Sequence, residues 1–500
     1  MKTLAGFIAV LLCLAAPASG KDQPAWRGHA NDPQHTARAP AVGQSLTRIH
    51  WSLSVDHAPP LAPHQPPGGG SLLIHYASPM ITAANTVLVP VKTTTNGNFE
   101  IDAVSGTNGK SIWKMKTNYV LPTADWIPPL PAHLTAQNRL YVAGIGGTVL
   151  FRDSPDSKTG QTGQYVFYGM STYKQNKKIY DADVIIDTPI TADAKGDIFF
   201  GYVVLANNPA GLMSGIARID ANGNGNYVAA QVAADNPEMT QVAMNCAPAI
   251  SADGSTVYIA VSNGQNGYLL ALDATTLTTK GKVALIDPET NESAMISDDS
   301  SAAPTIGPDG NVYYGVLESN GEHDCRGWLL AFSGDLSKEN TPGSFGWDDT
   351  VSIVPTSAVG QKAGKGSYYV MSKYNDYNTC GGSGNNEIAI LNPNATQKDE
   401  YSNVSVMKEV ETKLDPHSSP NGGVYEWCVN TAVVDVKDSA IVVNDEAGDA
   451  YRWDLTSNSL QPSGGLPLNS PIFEAYTSTL IGPDGTDYAI NNATLYAMGN

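Results

Sequence analysis

The sequence predicts an all-β protein built from many short strands joined by tight turns. The 500-residue chain contains 48 Gly and 32 Pro, which punctuate strands with turns, together with 23 Tyr. A hydrophobic content of 42% against a charged content of 15% is enough to bury a large core. This composition excludes a chain that is disordered throughout, and also a helical bundle or coiled coil.

A block of four strands recurs along the chain, and its clearest copy lies between residues 80 and 113. It starts at Met80, continues through a second strand at residues 86–89 and a third at residues 101–103, and ends at residues 111–113. Each segment has the length of an ordinary strand and is bounded by turn residues. The first strands of the other copies are marked by Leu134, Ile190, Ile250, Ile306, Ala358, Val433 and Ser478.

Four-stranded blocks that repeat about every 45–60 residues are typical of a β-propeller. The last copy stops after three strands, and residues 48–53 at the other end of the chain carry Trp51 much as residues 111–113 carry Trp113. We therefore predict an eight-bladed β-propeller of four-stranded antiparallel blades. Pairing of the N- and C-terminal strands would close the ring and protect the sheet edges.

The start of the chain predicts an exported protein. Residues 1–20 have the features of a signal peptide, with Lys2, an apolar run from Leu4 to Leu14 and small residues at 16–18. Residues 21–45 are expected to form an N-terminal extension, and residues 46–500 a single propeller domain. The predicted location is secreted or periplasmic, and no later segment is apolar enough to span a membrane.

The charge restricts the partners. The formal net charge is −19 at pH 7, and the acidic residues are spread along the chain. A field of this sign repels phosphate backbones, so nucleic acid is not an expected partner. It favours cations, neutral polar ligands or carbohydrates, and we expect a monomer.

The repeat resembles that of a known superfamily. The resemblance lies in residues 99–106 (FEIDAVSG), 109–113 (GKSIW) and 267–275 (GYLLALDAT), and residues 26–29 (WRGH) with 34–36 (QHT) look like the opening of such exported proteins. On these residues the chain resembles the quinoprotein alcohol dehydrogenase-like superfamily, the propellers of pyrroloquinoline-quinone (PQQ) type. This resemblance implies the fold and not a particular activity. The superfamily includes quinone-dependent dehydrogenases, an outer-membrane assembly scaffold and members of unknown role.

A set of polar and aromatic residues is predicted to meet at one face of the propeller. In this fold the segment before each inner strand and the loop between the second and third strands open on the same face, beside the central channel. We call this face the funnel and predict that it binds a small polar ligand, although Asp or Ser before a strand also commonly caps a turn. The candidate residues are His75, Tyr76, Asp125, Trp126, Asp187, Asn245, Asp298, Asp299, Glu426, Trp427 and Asn430.

The first enzyme hypothesis follows from the resemblance. It implies a PQQ cofactor stacked on an indole, either Trp126 or Trp427, a calcium ion held by Glu426, Asn245 and Asp298, and an Asp base for the alcohol proton. The adjacent-cysteine disulfide of many alcohol-oxidising members is absent, but soluble sugar-oxidising members lack it too. The sequence contains no haem-attachment motif and predicts no nucleotide cofactor.

Two further hypotheses stay open. One is a carbohydrate-active lyase or hydrolase, in which Asp298 and Asp299 pair with Glu426 while His75 or Tyr76 carries the proton. The other is a non-catalytic binding or assembly scaffold.

The two Trp residues beside carboxylates have two interpretations. In Asp125-Trp126 and Glu426-Trp427 the carboxylate would hold a hydroxyl group while the indole packs on a sugar or planar ligand. Both Trp equally suit a place between blades. For Trp113, Trp328 and Trp453, packing is the prediction.

Histidine and cysteine patterns complete the predictions. No two of His57, His64, His75 and His417 have a metal-binding spacing such as HExxH, so zinc is not expected, while His75 and His417 are candidate general bases. Cys325 and Cys380 lie in long loops of neighbouring blades and are predicted to form a disulfide at the funnel rim. Cys246 and Cys428 belong to blades three positions apart and are expected to stay unpaired.

Overall fold

The computed structural model describes residues 24–58, 76–94, 97–121, 130–296, 302–360, 366–427, 429–468 and 478–500. These residues form eight antiparallel sheets, arranged as the eight blades of a ring. In each blade the chain runs from an inner strand beside the axis to an outer strand at the rim. The predicted all-β, eight-bladed propeller is confirmed.

Blades 1 to 4 follow one another in chain order, and the inner strand of blades 3 and 4 is divided into two short pieces. The strands are Met80–Ile81, Thr86–Thr94, Gly97–Ser105 and Ser111–Lys116 in blade 1; Ala132–Leu134, Leu140–Ala143, Thr148–Arg152 and Thr162–Val166 in blade 2; Val184–Ile186 with Thr191–Ala192, Ile198–Val204, Gly215–Ile219 and Gly225–Ala229 in blade 3; and Gln241–Val242 with Ala249–Ile250, Thr256–Ser262, Gly267–Asp273 and Thr279–Ala284 in blade 4.

Blades 5 to 8 complete the ring. In blade 5 the outer position is taken by residues 339–343, which make isolated antiparallel bridges from Glu339 to Phe332 and from Gly343 to Leu329. The strands are Thr305–Ile306, Val312–Val316 and Trp328–Phe332 in blade 5; Ser352–Pro355, Tyr368–Tyr374, Glu387–Lys398 and Ser405–Leu414 in blade 6; Val434–Asp435, Ala440–Asn444, Asp449–Asp454 and Ser459–Pro467 in blade 7; and Leu480–Ile481, Asp487–Asn491, Thr494–Gly499 and Arg48–Ser54 in blade 8.

Helical segments are short and lie in the connections. They are the α-helices Met170–Gln175, Lys177–Asp183 and Ala230–Ala233 and the 3-10 turns Ile145–Gly147, Thr356–Ala358 and Asn378–Cys380. Within the described ranges, no helix has the length and apolar character needed to cross a membrane.

The two ends of the chain share blade 8, as the sequence predicted. Arg48–Ser54 pairs antiparallel with Thr494–Gly499, with Trp51 opposite Ala497 and Ser54 opposite Thr494. The N-terminal strand therefore supplies the outer strand of the last blade, which removes an exposed sheet edge and locks the ring.

The predicted position of the inner strand of blade 6 was wrong. Its inner strand is Ser352–Pro355, whereas Ala358 lies in the following 3-10 turn. The error arose because the connection to the second strand at Tyr368 is long and contains Gly360, Gly364 and Gly366, so that Ala358, just after Pro355 and Ser357, resembled the start of an inner strand. The polar residues that precede the true inner strand, Asp348 and Asp349, were consequently missed.

Neighbouring blades pack through alternating apolar side chains of their middle strands. In blade 1, Val87, Val89 and Val91 are fully buried against the same core as Leu480 and Ile490 of blade 8. The predicted packing role of three tryptophans is confirmed, since Trp113, Trp328 and Trp453 are all buried.

The N-terminal segment, residues 24–45, lies inside the ring. Its backbone exchanges hydrogen bonds with the inner strands of six blades: Trp26 with Ile81, Arg27 with Leu134, Pro33 with Ile250, Gln34 with Ile306, Thr36 with Ile353, and Ala37 with Val434. So short a segment can reach so many inner strands only from the axis that they surround. Blade 3 is reached by His35 Nε2, 3.4 Å from Thr191 Oγ1, and blade 8 by the Gln44 N–H, which donates to Gly485 O at 2.8 Å.

This segment occupies one end of the channel. The inner-strand residues that it contacts pair with the beginnings of the second strands, for example Ile81 with Val87 and Ile306 with Val312. That end is opposite to the loops between second and third strands. The N-terminal segment therefore closes the channel at the far end from the funnel.

Candidate funnel site

Half of the chain segments that lead into inner strands at the funnel lie outside the described residues. They are residues 59–75, 122–129, 297–301 and 469–477, which precede the inner strands of blades 1, 2, 5 and 8. The predicted site residues His75, Asp125, Trp126, Asp298 and Asp299 fall in these segments. The described part of the funnel belongs to blades 3, 4, 6 and 7.

Hydrogen bonds link successive blades just before their inner strands. The Thr350 Oγ1 accepts from the Ala303 N–H at 2.9 Å, and the Thr350 N–H donates to Asn430 Oδ1 at 3.2 Å, which joins blades 5, 6 and 7. On the other side, the Asn245 N–H donates to Asp187 O at 3.0 Å and joins blades 4 and 3. The structure thus gives Asn430, Asn245 and Asp187 a part in holding the ring together.

Trp427 is packed in the core, not exposed in the funnel. Its side chain is fully buried and lies edge-on to Tyr451, with ring centroids 5.6 Å apart. Asn375 of blade 6 fixes its backbone from both sides, accepting from the Trp427 N–H at 3.1 Å and donating to the Trp427 carbonyl at 3.0 Å. Of the two predicted roles for this indole, wedging between blades is the one observed.

The same contact brings Glu426 toward a buried charged group of blade 6. We define the funnel cluster as Asp348, Asp349, Lys373 and Glu426. Lys373 lies two residues before Asn375 and its side chain is 1% exposed, with Nζ 4.0 Å from Asp348 Oδ2. Asp349 is also buried, and its Oδ2 accepts from the Ser372 hydroxyl at 2.8 Å and the Lys373 N–H at 3.2 Å.

Burial sets the protonation of this cluster. Burial raises the pKa of Asp349 to about 6, even though Lys373 and the hydrogen bonds from Ser372 and Lys373 favour the charged form. Burial likewise raises the pKa of Glu426 to about 7, against the charge of Lys373. Near neutral pH the Asp349 and Glu426 carboxyl groups are therefore close to the pH at which they gain or lose a proton.

Tyr76 lies apart from this cluster, at the junction of blades 8 and 1. Its hydroxyl donates to Asp56 Oδ2 at 3.3 Å, and Asp56 forms a buried ion pair of 3.0 Å with Lys92. Burial, followed by the charge of Asp56, raises the pKa of the Tyr76 phenol. The structure therefore does not bring Tyr76 together with Glu426.

The predicted disulfide is present. Cys325 and Cys380 are joined, with their Cα atoms 5.9 Å apart, in the loops between the second and third strands of blades 5 and 6. Glu318 supports the first loop, accepting from the Cys325 N–H at 2.7 Å and the Gly327 N–H at 2.8 Å. Cys246 is a buried free thiol, and Cys428 lies outside the described residues.

Trp427 does not supply the indole face that the predicted quinone site needs, and the other predicted indole, Trp126, lies outside the described residues. A planar cofactor needs an accessible indole face, and Trp427 offers none because it is fully buried. The predicted calcium ligands Glu426 and Asn245 belong to blades 7 and 4, Asn245 is bonded to blade 3, and Asp298 and Trp126 lie outside the described ranges. No chemical step is therefore derived through PQQ.

Sequence reasoning missed Asp348, Asp349 and Lys373. The signal was present, because residues 347–350 (WDDT) precede an apolar run in the way that Asp187 precedes Thr191–Ala192, the second piece of the inner strand of blade 3. Lys373 gave no local signal, since a lysine in a strand usually faces solvent. Its burial depends on tertiary packing, in which Phe345 and Asp348 lie near its ammonium group.

Comparison with solved structures agrees with this architecture. A europium-containing methanol dehydrogenase matches with a TM-score of 0.52 at 10% identity, covering 94% of this chain and 89% of its own. A quinohemoprotein alcohol dehydrogenase from Pseudomonas putida HK5 matches with a TM-score of 0.50 at 11% identity, covering 96% and 76% respectively. The chain has the fold of these dehydrogenases.

The likeness is confined to the fold. Saccharomyces cerevisiae Sqt1 matches equally well, with a TM-score of 0.51 at 10% identity over 92% of this chain and 99% of its own. No protein-family model matches the chain, and no curated protein sequence matches it significantly. The predicted resemblance to PQQ-type propellers is therefore confirmed as a resemblance of architecture, and activity has to be argued from the site.

Proposed function

We propose that the protein is an exported propeller that binds a small, uncharged, hydroxyl-rich ligand at the funnel cluster. The observation that carries the proposal is the burial of Lys373 with Asp348 and Asp349 beside the partly exposed Glu426. Buried ionisable groups of both signs at the mouth of a channel are costly to maintain and are typical of binding sites.

The class of ligand follows from the mixture of donors and acceptors. Lys373 donates hydrogen bonds, an ionised carboxylate accepts them, and a protonated carboxyl group does both. A hydroxyl group also donates and accepts, so alcohols, polyols and monosaccharides match this mixture. An anionic ligand is disfavoured, because three carboxyl groups surround one ammonium group.

Glu426 is the group best placed to act on such a ligand. It is partly exposed, whereas Asp348, Asp349 and Lys373 are buried. A carboxyl group with a pKa near 7 is suited to take a proton from a hydroxyl group and return it. Binding is the primary proposal, and proton transfer by Glu426 would be its extension to an enzyme.

Export is supported by the disulfide. The Cys325–Cys380 bond joins two surface loops, and such bonds persist in oxidising compartments. A periplasmic or secreted location also agrees with the signal-like residues 1–20.

The test is calorimetric titration of the purified protein with a panel of alcohols, polyols and monosaccharides. Lys373→Met and Glu426→Gln should weaken the affinity for any bound compound by about tenfold or more, since each removes a charge-assisted hydrogen bond. Asp335→Asn is the matched control, because Asp335 is an exposed carboxylate on a turn at the opposite face. This control should leave the affinity unchanged.

Two outcomes would overturn the proposal. One is that no compound of the panel binds, and the other is that both funnel variants bind as tightly as the native chain. A parallel titration with PQQ and calcium tests the quinone hypothesis separately. If PQQ binds equally well to Glu426→Gln, the quinone site does not include Glu426. Far-UV circular dichroism of each variant confirms that it is folded.

A further inference from the structure

A second group of ionisable residues lies at the funnel face, on the outer side of the junction between blades 6 and 7. We define the carboxylate–histidine cluster as Asp415, His417, Asp445 and Asp449. Asp415 directly follows the outer strand of blade 6, and Asp445 lies in the hairpin between the second and third strands of blade 7. Asp449 begins the third strand of blade 7. None of the hypotheses drawn from the sequence grouped these residues.

The side chains of this cluster converge on one point. Asp415, His417 and Asp445 each place one potential ligand atom within 4.8 Å of the others. His417 Nδ1 is 3.6 Å from Asp445 Oδ2 and 3.8 Å from Asp449 Oδ2. The Tyr451 hydroxyl donates to Asp445 Oδ2 at 3.0 Å and lies 3.0 Å from His417 Nδ1.

The cluster lacks a cation. Asp415 and Asp445 are 2% and 0% exposed, and in the described part of the chain no Lys or Arg forms an ion pair with Asp415, Asp445 or Asp449. Asp415 Oδ2 is buried without a hydrogen-bond partner. An unpartnered buried carboxylate oxygen beside a second buried carboxylate is a costly arrangement unless something positive is bound there.

Backbone hydrogen bonds orient the side chains of this cluster. Asp415 Oδ1 accepts from the His417 N–H at 2.8 Å, and Asp445 Oδ1 accepts from the Asp449 N–H at 2.9 Å. Each carboxylate is thereby oriented by one oxygen, and Asp415 keeps the other available. His417 is about one-third exposed, which leaves a route from solvent to the cluster.

We propose that Asp415, His417 and Asp445, supported by Asp449, bind a divalent cation of the Mn²⁺ type. Carboxylates suit hard cations and imidazole suits first-row transition metals, so a mixed set of this kind favours Mn²⁺ over Ca²⁺, which takes oxygen ligands. The like-charge contact supports this assignment, since the buried carboxylates of Asp415 and Asp445 lie close together and repel each other. A cation would supply the missing positive charge.

The ion would also connect two blades. Asp415 belongs to the end of blade 6, and Asp445 and Asp449 to blade 7. The Trp427 backbone bridges Asp445, and the Glu446 N–H donates to Glu426 O at 3.1 Å, so the cluster is adjacent to the segment that carries Glu426. The proposal stands independently of ligand binding at the funnel cluster.

The experiment uses electron paramagnetic resonance of Mn²⁺ added to the EDTA-dialysed full chain. Binding removes the signal of the free ion, and we expect one Mn²⁺ per chain with micromolar affinity. Zn²⁺ should displace it, as the general order of metal affinities requires, whereas a large excess of Ca²⁺ should not. Asp445→Asn and His417→Gln should each weaken Mn²⁺ binding by at least about tenfold, because each removes a direct ligand.

Matched controls test whether binding is adventitious. Asp438→Asn removes an exposed carboxylate of blade 7 at the other face, and His50→Gln removes an exposed histidine, so both should bind Mn²⁺ like the native chain. The proposal is overturned if no Mn²⁺ binds, if Ca²⁺ competes as well as Zn²⁺, or if Asp445→Asn and His417→Gln leave binding unchanged. Near-UV circular dichroism verifies folding, and His417→Gln, on a partly exposed loop, should preserve it.

Discussion

The buried carboxylates of two clusters, one at each face of blade 7, differ in whether an arginine or lysine lies beside them. At the face closed by the N-terminal segment, Arg452 lies 2.8 Å from Asp435, 3.1 Å from Asp487 and 3.2 Å from Asp438. At the funnel face, the carboxylate–histidine cluster has no Lys or Arg ion pair in the described residues. The Arg452 group therefore contains its own cation, whereas the carboxylate–histidine cluster has no lysine or arginine partner among the described residues.

This difference between the two clusters distinguishes charges that hold the fold together from charges that are available to a ligand or ion. Asp435 also accepts from the Gly43 N–H at 2.7 Å, so the Arg452 group fastens the N-terminal segment to blades 7 and 8. Its carboxylates thus share a positive charge that the fold supplies. In the described residues the carboxylate–histidine cluster has no such lysine or arginine, which is the pattern expected where a ligand or ion completes the site.

The largest expected effect is at the face closed by the N-terminal segment. Arg452→Met leaves the fully buried carboxylates of Asp435 and Asp487 without a counter-charge, so we expect a loss of about 3–5 kcal/mol in the free energy of unfolding. Urea denaturation followed by circular dichroism measures it. A loss below that of an ordinary surface substitution would contradict the structural role given to Arg452.

The next effect is a pH dependence of stability at the same face. Burial lowers the pKa of His35 to about 4 and that of His133 to about 3, from about 6.5 in the unfolded chain. Above pH 6.5 both states bind no proton on these rings, whereas below it only the unfolded chain is protonated. The stabilisation is thus complete above about pH 6.5 and is lost progressively as the pH falls from 6.5 to the folded values.

Each histidine should contribute about 2 kcal/mol to the loss of stability between pH 6.5 and pH 5. Denaturation curves of the native chain and of His35→Gln at these two pH values measure this contribution. The variant should lose less stability on acidification than the native chain. His50→Gln is the control, because His50 is exposed and should leave the slope unchanged.

A smaller effect of opposite sign is expected at the funnel face. Asp415→Asn removes one of two neighbouring buried carboxylates, so in metal-free protein it should raise the free energy of unfolding by about 1 kcal/mol. Added Mn²⁺ should stabilise the native chain but not this variant. A destabilised Asp415→Asn protein without metal would show that the cluster is already matched by the fold.

The smallest effect concerns the exposed member of the Arg452 group. The Asp438 side chain is 60% exposed, so Asp438→Asn should cost less than about 0.5 kcal/mol. The contrast with Arg452→Met at the same contact would show that burial, and not the number of ion pairs, decides the stability of this face.

The fold could be predicted in detail because its signals are local and repeated. Short β-rich runs such as residues 86–89 and 256–259, each bounded by turn residues, recur at a regular spacing, and every repetition strengthens the prediction. The error at Ala358 occurred in a long connection between the inner and second strands, where a short apolar pair precedes the turn residues. The disulfide was predictable because Cys325 and Cys380 lie in equivalent loops of adjacent blades.

The candidate site could be predicted only in part. Glu426 was identified from its place before an inner strand. Asp349 has the same kind of position but was missed with the inner strand of blade 6, and Lys373 lies in a strand position that the sequence does not mark. Trp427 was expected either in the funnel or between blades, and its burial against Tyr451 was settled by the packing of blade 7. His417 was noticed alone, and its partners Asp415 and Asp445 were not.

The chain itself determined the number of blades, the closing strand and the pair of cysteines, because strand propensity, turns and spacing are properties of neighbouring residues. Tertiary structure decided which charges meet. The packing of blade 6 on blade 7 brings Lys373 toward Glu426 in the funnel cluster, and Asp415 toward Asp445 in the carboxylate–histidine cluster. It also decided that residues 24–45 fill the axis, because the inner strands that bind this segment come from the whole length of the chain.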